Sequence, residues 1–154
     1  MWLTSTAQHA IRAVAYLAEH ADDGPVAVDA VAAALGAPRN YLSKTLHVLV
    51  NSGVLRSTRG PHGGFQLAAS PGTLTLARVV EPFADVASRR CLLGRATCGS
   101  RDPCALHSQW AAASERMHDF FRDTTVGDLL AGGRRDPRRA VVRDRRRSRS
   151  ADHR

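Results

Sequence analysis

The chain has 154 residues, 44% of them hydrophobic, and this length suits one domain with a single modest core plus appended segments. No apolar run reaches the roughly 18 residues of a membrane span. The N-terminus lacks the basic segment followed by an apolar segment that is typical of a secretory signal. We therefore expect a cytoplasmic protein with no membrane partner. Three cysteines, an odd number, argue against a disulfide framework.

The formal net charge of +8 is concentrated at the C-terminus. From residue 132 onward the chain has ten arginines and three aspartates, whereas residues 1–131 have twelve basic and eleven acidic side chains. This composition predicts a disordered, arginine-rich tail over residues 132–154. The tail either adds non-specific phosphate contacts with nucleic acid or is only a solvated extension, so net charge alone does not establish DNA binding.

The N-terminal third predicts three helices. The first is capped by Thr4 or Ser5 and is broken by an Asp-Asp-Gly-Pro stretch. A short second helix follows an Asp29 cap and ends at Gly36. The third begins near Pro38 and runs to about Asn51, with a buried face predicted to consist of Leu42, Leu46, Leu49 and Val50. Two short helices joined by a tight turn predict a helix-turn-helix.

Two short apolar runs then flank a glycine-rich turn, RGPHGG at residues 59–64, and predict a β-hairpin wing. We expect its glycines to let the tip approach a phosphate backbone or minor groove, with Arg59 pointing in. A helix-turn-helix is also a generic packing unit, but residues 39–60 include four basic side chains and no acidic one. The candidate DNA-binding residues here are Arg39, Asn40, Tyr41, Lys44, Arg59, Gly60 and His62.

The C-terminal half predicts a short helix near residues 76–81, a long helix from Pro103 to about residue 123, and a last turn capped by Thr125. An apolar stripe at helical spacing marks the long helix. It is either the core face of a surface helix or a dimerisation face, and we favour dimerisation because it follows an already complete domain. The stripe comprises Leu106, Trp110, Ala113, Met117 and Phe120.

The predicted fold is therefore mainly α with a small β-hairpin wing, a winged helix-turn-helix followed by a long C-terminal dimerisation helix. Residues 1–82 are expected to form the DNA-binding domain and residues 83–104 a cysteine-rich loop. Residues 105–131 would form the dimerisation helix and a final short helix, before the tail at 132–154.

The cysteine-rich loop has the pattern C-x(6)-C-x(5)-C-x(2)-H, formed by Cys91, Cys98, Cys104 and His107. Structural zinc sites usually use closer C-x(2–4)-C pairs. Wide loops of soft thiolates suit a bulkier iron–sulfur cluster. A zinc site, a thiol redox switch and a plain loop remain the alternatives.

Several short stretches together are similar to one known family. They are LTS at 3–5, NYL at 40–42, RGPHGG at 59–64, CALH at 104–107 and TTVGDL at 124–129, together with the three cysteines. Over residues 1–131 the chain resembles the IscR/NsrR family of winged-helix transcription regulators, the iron–sulfur and nitrite-responsive repressors. The resemblance leaves only the tail outside.

The resemblance implies a homodimer whose two winged helices read a partly symmetric double-stranded DNA operator. Asn40, Tyr41 and Lys44 would face the major groove. The family often has an aromatic residue at position 9, where His9 stands here and would contact the DNA backbone. Trp2 replaces the usual basic residue and removes a phosphate contact.

The resemblance also bears on the cluster. In the IscR-like branch a histidine at position 107 completes a 2Fe–2S site, whereas in the nitric-oxide-sensing branch an acidic residue at position 8 of the partner completes a 4Fe–4S site. This chain has His107 and Gln8, so a 2Fe–2S cluster is favoured over 4Fe–4S. The iron–sulfur assembly machinery is the expected donor of the cluster. Asp102 and His118 are weaker candidate ligands. The first two cysteines are one residue further apart than is typical of the IscR branch.

The predicted function is a dimeric transcription regulator whose operator affinity is controlled by a cluster that senses iron–sulfur status, redox state or nitric oxide. The alternatives are a 4Fe–4S nitric-oxide sensor, a zinc site or a thiol switch in the same scaffold. An iron–sulfur scaffold protein would need neither the basic wing nor the exposed Lys44. No catalytic triad, phosphate loop or paired-carboxylate pattern is apparent, so we expect no enzyme activity.

Overall fold

A computed structural model describes residues 3–84, 91–96, 98, 99 and 101–133. The predicted tail beyond residue 133 and the departure at Trp2 lie outside these residues. The described elements are α1 (Ser5–Glu19), α2 (Val28–Leu35), α3 (Arg39–Asn51), β1 (Leu55–Thr58), β2 (Gly64–Leu67), α4 (Leu76–Val80), α5 (His107–Asp123) and α6 (Val126–Gly133). This order confirms the mainly helical fold with one antiparallel hairpin.

Helix α1 is the centre of the fold and packs against α2, α3, α4, α6 and β2. Thr4 caps it as predicted, because its hydroxyl oxygen accepts a hydrogen bond from the N–H of Ala7 at 3.1 Å. Four of its six buried residues are alanines, whose small side chains let neighbouring helices approach closely. The buried residues are Ala7, Ala10, Ala13, Val14, Leu17 and Ala18.

The helix-turn-helix forms with two local differences from the prediction. Helix α2 begins at Val28, so Asp29 lies in its first turn and is not the cap. Gly36 ends α2 in the left-handed conformation at φ +64°, as expected of a glycine stop. On α3, Thr45 is buried in place of the expected Val50, because its hydroxyl is satisfied by donating to the carbonyl oxygen of Tyr41 at 3.1 Å.

The wing is held against the segment that precedes α2. Val26 and Phe65 exchange two backbone hydrogen bonds of 3.0 and 2.8 Å, which adds a third short extended segment beside β2. A Cβ atom on Gly64 would lie 2.4 Å from the carbonyl oxygen of Val26, and one on Gly63 would lie 2.3 Å from that of Thr58. Packing inside the protein therefore requires glycine at these two positions, whatever the tip approaches.

Helix α5 begins at His107 and not at Pro103. The N–H of His107 donates to the carbonyl of Cys104 at 3.0 Å, so the chain turns once more at the last cysteine before the helix starts. The turn between α5 and α6 is tied to the winged helix, since the N–H of Leu76 donates to the carbonyl of Thr124 at 2.9 Å and the N–H of Val126 donates to the carbonyl of Leu74 at 2.8 Å. Among the described residues, no helix is long and apolar enough to cross a membrane.

Candidate metal centre and nucleic-acid interface

The four predicted ligands come together at the start of α5. The three cysteine sulfurs all lie within 4.8 Å of one another. The Sγ atoms of Cys91 and Cys104 are 3.8 Å apart, and Sγ of Cys98 lies 3.3 Å from Nδ1 of His107. Cys104 is buried and the other two cysteines are half-buried. The site thus lies close to the protein surface, and only one of its three cysteines is buried.

Two turns and one ion pair shape the loop around these sulfurs. Gly94, at φ +71°, closes a turn by donating its N–H to the carbonyl of Cys91 at 3.0 Å. Gly99 and Asp102 form a second, bridge-like turn. The guanidinium of Arg95 donates to the carboxylate of Asp102 and links the two turns. Asp102 is therefore engaged by an arginine and is not grouped with the sulfurs.

The thiols have unlike acidities. A hydrogen bond from the backbone N–H of Arg95 lowers the pKa of Cys91 to about 7, with smaller help from its neighbouring thiols. The pKa of Cys98 is raised: a backbone hydrogen bond at Cys104 favours its thiolate, but desolvation and the neighbouring sulfurs outweigh it. Ionisation of one thiol makes ionisation of its close neighbours less favourable. A bound metal cation would stabilise the three thiolates together. Three thiolates and an imidazole are a donor set that fits an iron–sulfur cluster or zinc.

A second group of possible ligands lies along α5 and consists of Glu115, His118 and Asp119. The guanidinium of Arg122 already pairs with Asp119 at 2.9 Å. This group is separate from the three cysteines, so His118 is not brought to the predicted site.

The outward side of α3 presents the predicted DNA-binding side chains. Arg39, Asn40 and Lys44 are exposed, whereas Tyr41 is half-buried. The ring of Tyr41 meets the ring of His9 on α1 edge-to-face, with centroids 5.4 Å apart. Tyr41 and His9 thus connect α3 to α1.

Sequence reasoning stopped at Lys44, but the exposed face of α3 continues to the end of the helix. His47, Val48 and Asn51 are exposed at three, four and seven residues beyond Lys44. That helical spacing is the signal that would have found them. The ring of His47 also lies edge-on to the ring of Phe65 on β2, with centroids 5.3 Å apart, and joins α3 to the wing.

Arg39 has a partner that the sequence did not reveal. Its Nε donates to Oδ1 of Asp29 at 2.6 Å, and both side chains are largely exposed. The other predicted DNA-binding residues, Arg59, Gly60 and His62, lie at the wing tip and are exposed.

The predicted dimerisation stripe is only partly covered within one chain. Phe120 is 54% exposed and Leu106 38% exposed, while Ala113 is exposed as well. Trp110 and Met117 are half-buried. The residues that α5 buries against its own domain are instead Ser114 and Phe121.

Comparison with known proteins gives the family. Residues 3–132 match the Rrf2 family model, described as iron-dependent transcriptional regulators. The chain belongs to the Rrf2 family. The resemblance inferred from the sequence is thereby confirmed, and the protein is a DNA-binding transcription regulator and not an enzyme.

Individual relatives agree with this assignment. An HTH-type transcriptional regulator of Aquifex aeolicus is 36% identical over 133 residues, which cover 84% of this chain and 92% of that protein. The regulator IscR of Klebsiella pneumoniae is 30% identical over 131 residues, covering 84% and 80% respectively.

Solved structures support the fold. The structure of T. potens IscR superposes with a TM-score of 0.70 at 21% identity and covers 86% of this chain and 88% of its own. The structure of CymR, the global cysteine regulator of B. subtilis, gives the same TM-score at 20% identity, covering 85% and 97%.

Proposed function

We propose that this Rrf2-family chain is a homodimeric repressor-type regulator whose operator affinity depends on a 2Fe–2S cluster held by Cys91, Cys98, Cys104 and His107. The observation that carries the proposal is the 3.3 Å approach of the Cys98 sulfur to His107, beside three sulfurs within 4.8 Å of one another. In this scheme residues 1–82 bind DNA, 83–104 hold the cluster and 105–131 form the dimer. The cluster would come from the iron–sulfur assembly machinery.

The fourth ligand is the point on which the cluster type depends. The imidazole of His107 is at the cysteine site, whereas the side-chain amide of Gln8 on α1 donates a hydrogen bond to the carbonyl of Leu3, just before the helix, at 3.4 Å. A neutral amide is also a poor iron ligand. Three thiolates and one imidazole on a single chain therefore favour 2Fe–2S over 4Fe–4S.

DNA recognition would use the exposed face of α3 and the wing. Lys44 and Arg39 lie in the exposed region of α3 with no acidic side chain on the helix itself. Asn40 is exposed one residue beyond Arg39 and would read base edges in the major groove. Arg59 at the wing tip and His9 on α1 would contact phosphates or the adjacent minor groove.

Dimerisation would use the partly exposed stripe of α5. The stripe is nearly symmetric about Ala113, since Leu106 and Phe120 are each seven residues from it. A two-fold axis at Ala113 would pair the helices antiparallel, with small alanines at the crossing and Leu106 of each chain beside Phe120 of the other. Trp110 would then face Met117.

The switch would work through residues 91–107. When bound, an iron–sulfur cluster supplies redox-active iron that reacts with oxidants or nitric oxide. The four ligand side chains hold the two turns of the loop together and fix the first turn of α5, since His107 is its first residue. When no cluster is bound, the closely spaced sulfurs would repel one another as they ionise and move apart. The loop at the start of α5 would then change its conformation.

A zinc site is the second candidate, because three thiolates and one imidazole also make a complete tetrahedral zinc set. Such a site would make the loop a structural brace without a redox response.

The test is operator binding by the cluster-loaded dimer, the cluster-free dimer and Cys98→Ala. We expect the loaded form to differ from the other two in affinity or in the operator it selects. The matched control is Ser108→Ala, an exposed position on α5 near the ligands. If Cys98→Ala binds every operator as the loaded protein does, control by the cluster is wrong.

A further inference from the structure

Acidic side chains are almost absent from the helix-turn-helix and the wing. Between residues 24 and 80 the sequence has five lysines and arginines but only one acidic residue, Asp29. Asp29 lies in the first turn of α2. A carboxylate repels DNA phosphates, so in a domain that binds DNA the position of this one negative charge affects binding.

The carboxylate of Asp29 holds the first residue of α3. Its Oδ1 accepts a hydrogen bond from Nε of Arg39 at 2.6 Å. The side chains of Asp29 and Arg39 are 69% and 57% exposed, so water and salt screen the pair and its contribution to folding stability is small. The negative charge also suits the beginning of α2, but that effect does not need the bond to Arg39. The main effect of the bond is therefore to restrain the guanidinium of Arg39.

The other exposed cations of α3 and the wing are not held in this way. Lys44, Arg56 and Arg59 form no ion pair with another residue that the structure describes. Unrestrained cations suit phosphate contacts, which give affinity without sequence information. Arg39 differs because it is restrained at the beginning of α3. In helix-turn-helix proteins the first residues of the second helix contact base edges.

The restraint leaves Arg39 the groups that it needs to read a base. Asp29 binds the N–H on Nε, and the N–H groups of the two terminal nitrogens remain. These groups can bind O6 and N7 of guanine together, which is the most frequent specific contact in the major groove. An arginine whose position is already fixed loses less side-chain freedom when it binds. It is also less able to turn toward a phosphate.

We propose that Asp29 is a positioning residue for specificity: it holds Arg39 so that the guanidinium reads a guanine in the major groove of the operator. The inference rests on the proposed recognition of DNA by α3, and it adds the class of base that Arg39 reads. Asp29 acts through Arg39 and makes no contact with DNA itself. On unrelated DNA, where no guanine lies opposite Arg39, the carboxylate keeps Arg39 from a phosphate and lowers affinity.

The first test is selection of duplexes from a random DNA library by protein purified without oxygen, followed by sequencing. The parent protein should select a partly symmetric motif with guanine at one pair of related positions. Arg39→Ala should lower the preference for guanine at that pair alone by about fivefold or more. Asp29→Asn, which removes the charge and keeps the size, should lower it at the same pair by at least about threefold. The matched control, Asp22→Asn, removes an exposed carboxylate outside α2 and α3 and should select the parental motif.

The second test is binding to one unrelated duplex over a salt series. In Asp29→Asn the released Arg39 should contact a phosphate, so the slope of log Kd against log salt should rise by about one. The double variant Asp29→Asn/Arg39→Ala should return to the parental slope. A double variant that keeps the higher slope would show that Asp29 acts by its own charge, and would overturn its role through Arg39.

The inference and the proposed function fail in different ways. A selected motif whose guanine preference survives Arg39→Ala or Asp29→Asn, or changes equally in Asp22→Asn, overturns the role of Asp29 alone. A parent protein that selects no motif overturns the recognition of DNA by α3, and the role of Asp29 with it.

Discussion

Sγ of Cys98 lies 3.3 Å from Nδ1 of His107, which joins the middle of the cysteine loop to the first residue of α5. The loop and α5 would therefore both contribute to the proposed ligand set. We expect a change in that set to affect the start of the helix through which two chains are proposed to associate.

His107→Ala removes the imidazole and leaves three thiolates. We expect cluster loss in air to be at least about tenfold faster than in the parent protein, since even indirect supports of metal ligands are worth 10–100-fold. Decay of the visible absorption measures it. His118→Ala, eleven residues further along α5, is the matched control and should decay at the parental rate. Equal decay of both variants would remove His107 from the ligand set.

In the cluster-free protein, Cys91 should be the most reactive thiol near neutral pH. Its pKa is lowered to about 7 by the backbone N–H of Arg95, whereas the pKa of Cys98 is raised. Only the thiolate is alkylated, so modification of Cys91 by iodoacetamide should be half-maximal near pH 7 and that of Cys98 at much higher pH. Peptide mass mapping measures each site, with urea-unfolded protein as the control. Matching pH profiles at the two cysteines would contradict the expectation.

The helices, the hairpin and the clustering of the cysteines could be predicted because their signals are local. Thr4 and Gly36 act on adjacent backbone, and the ligand spacing is read directly along the chain. The start of α5 could not be predicted, because the additional turn at Cys104 interrupts a helical pattern that begins at Pro103. Contacts between distant segments were also out of reach: nothing near Gly64 shows that its backbone lies against Val26.

Gly64→Ala should destabilise the winged helix. The new methyl group would meet the carbonyl of Val26 at 2.4 Å, and relief requires the wing to move from the segment before α2. We expect a loss of about 1–3 kcal/mol in the free energy of unfolding, measured by urea denaturation. Gly72→Ala, with only an ordinary 3.9 Å contact to Ser70, should stay within about 0.5 kcal/mol of the parent. A neutral Gly64→Ala would mean that the wing is not held at Val26.

Lys44→Ala should weaken binding to operator and to unrelated DNA alike. In the proposed interface the exposed ammonium on α3 would neutralise one phosphate, so the slope of log Kd against log salt should fall by about one. Fluorescence anisotropy over a salt series measures the slope. Arg116→Ala removes an exposed charge on α5 and should leave the slope unchanged. An unaltered slope for Lys44→Ala would place this helix face away from DNA.

Phe120→Glu should convert the dimer to a monomer. Phe120 is 54% exposed in one chain, and in the antiparallel pair its partner is Leu106, so the substitution would bury an unpaired charge. Analytical ultracentrifugation measures the mass. The matched control, Arg116→Glu, changes an exposed residue of the same helix outside the stripe and should remain dimeric. A dimeric Phe120→Glu would require another interface.

Native mass spectrometry of protein purified without oxygen, combined with an absorption spectrum and iron and sulfide analysis, is the measurement to make first. We expect a red-brown dimer with two irons and two sulfides per chain, held by Cys91, Cys98, Cys104 and His107. Four irons per chain would contradict the 2Fe–2S assignment and require a different fourth ligand. A colourless dimer with zinc or no metal would contradict the cluster itself and leave a DNA-binding regulator with a zinc site or thiol switch at residues 91–107.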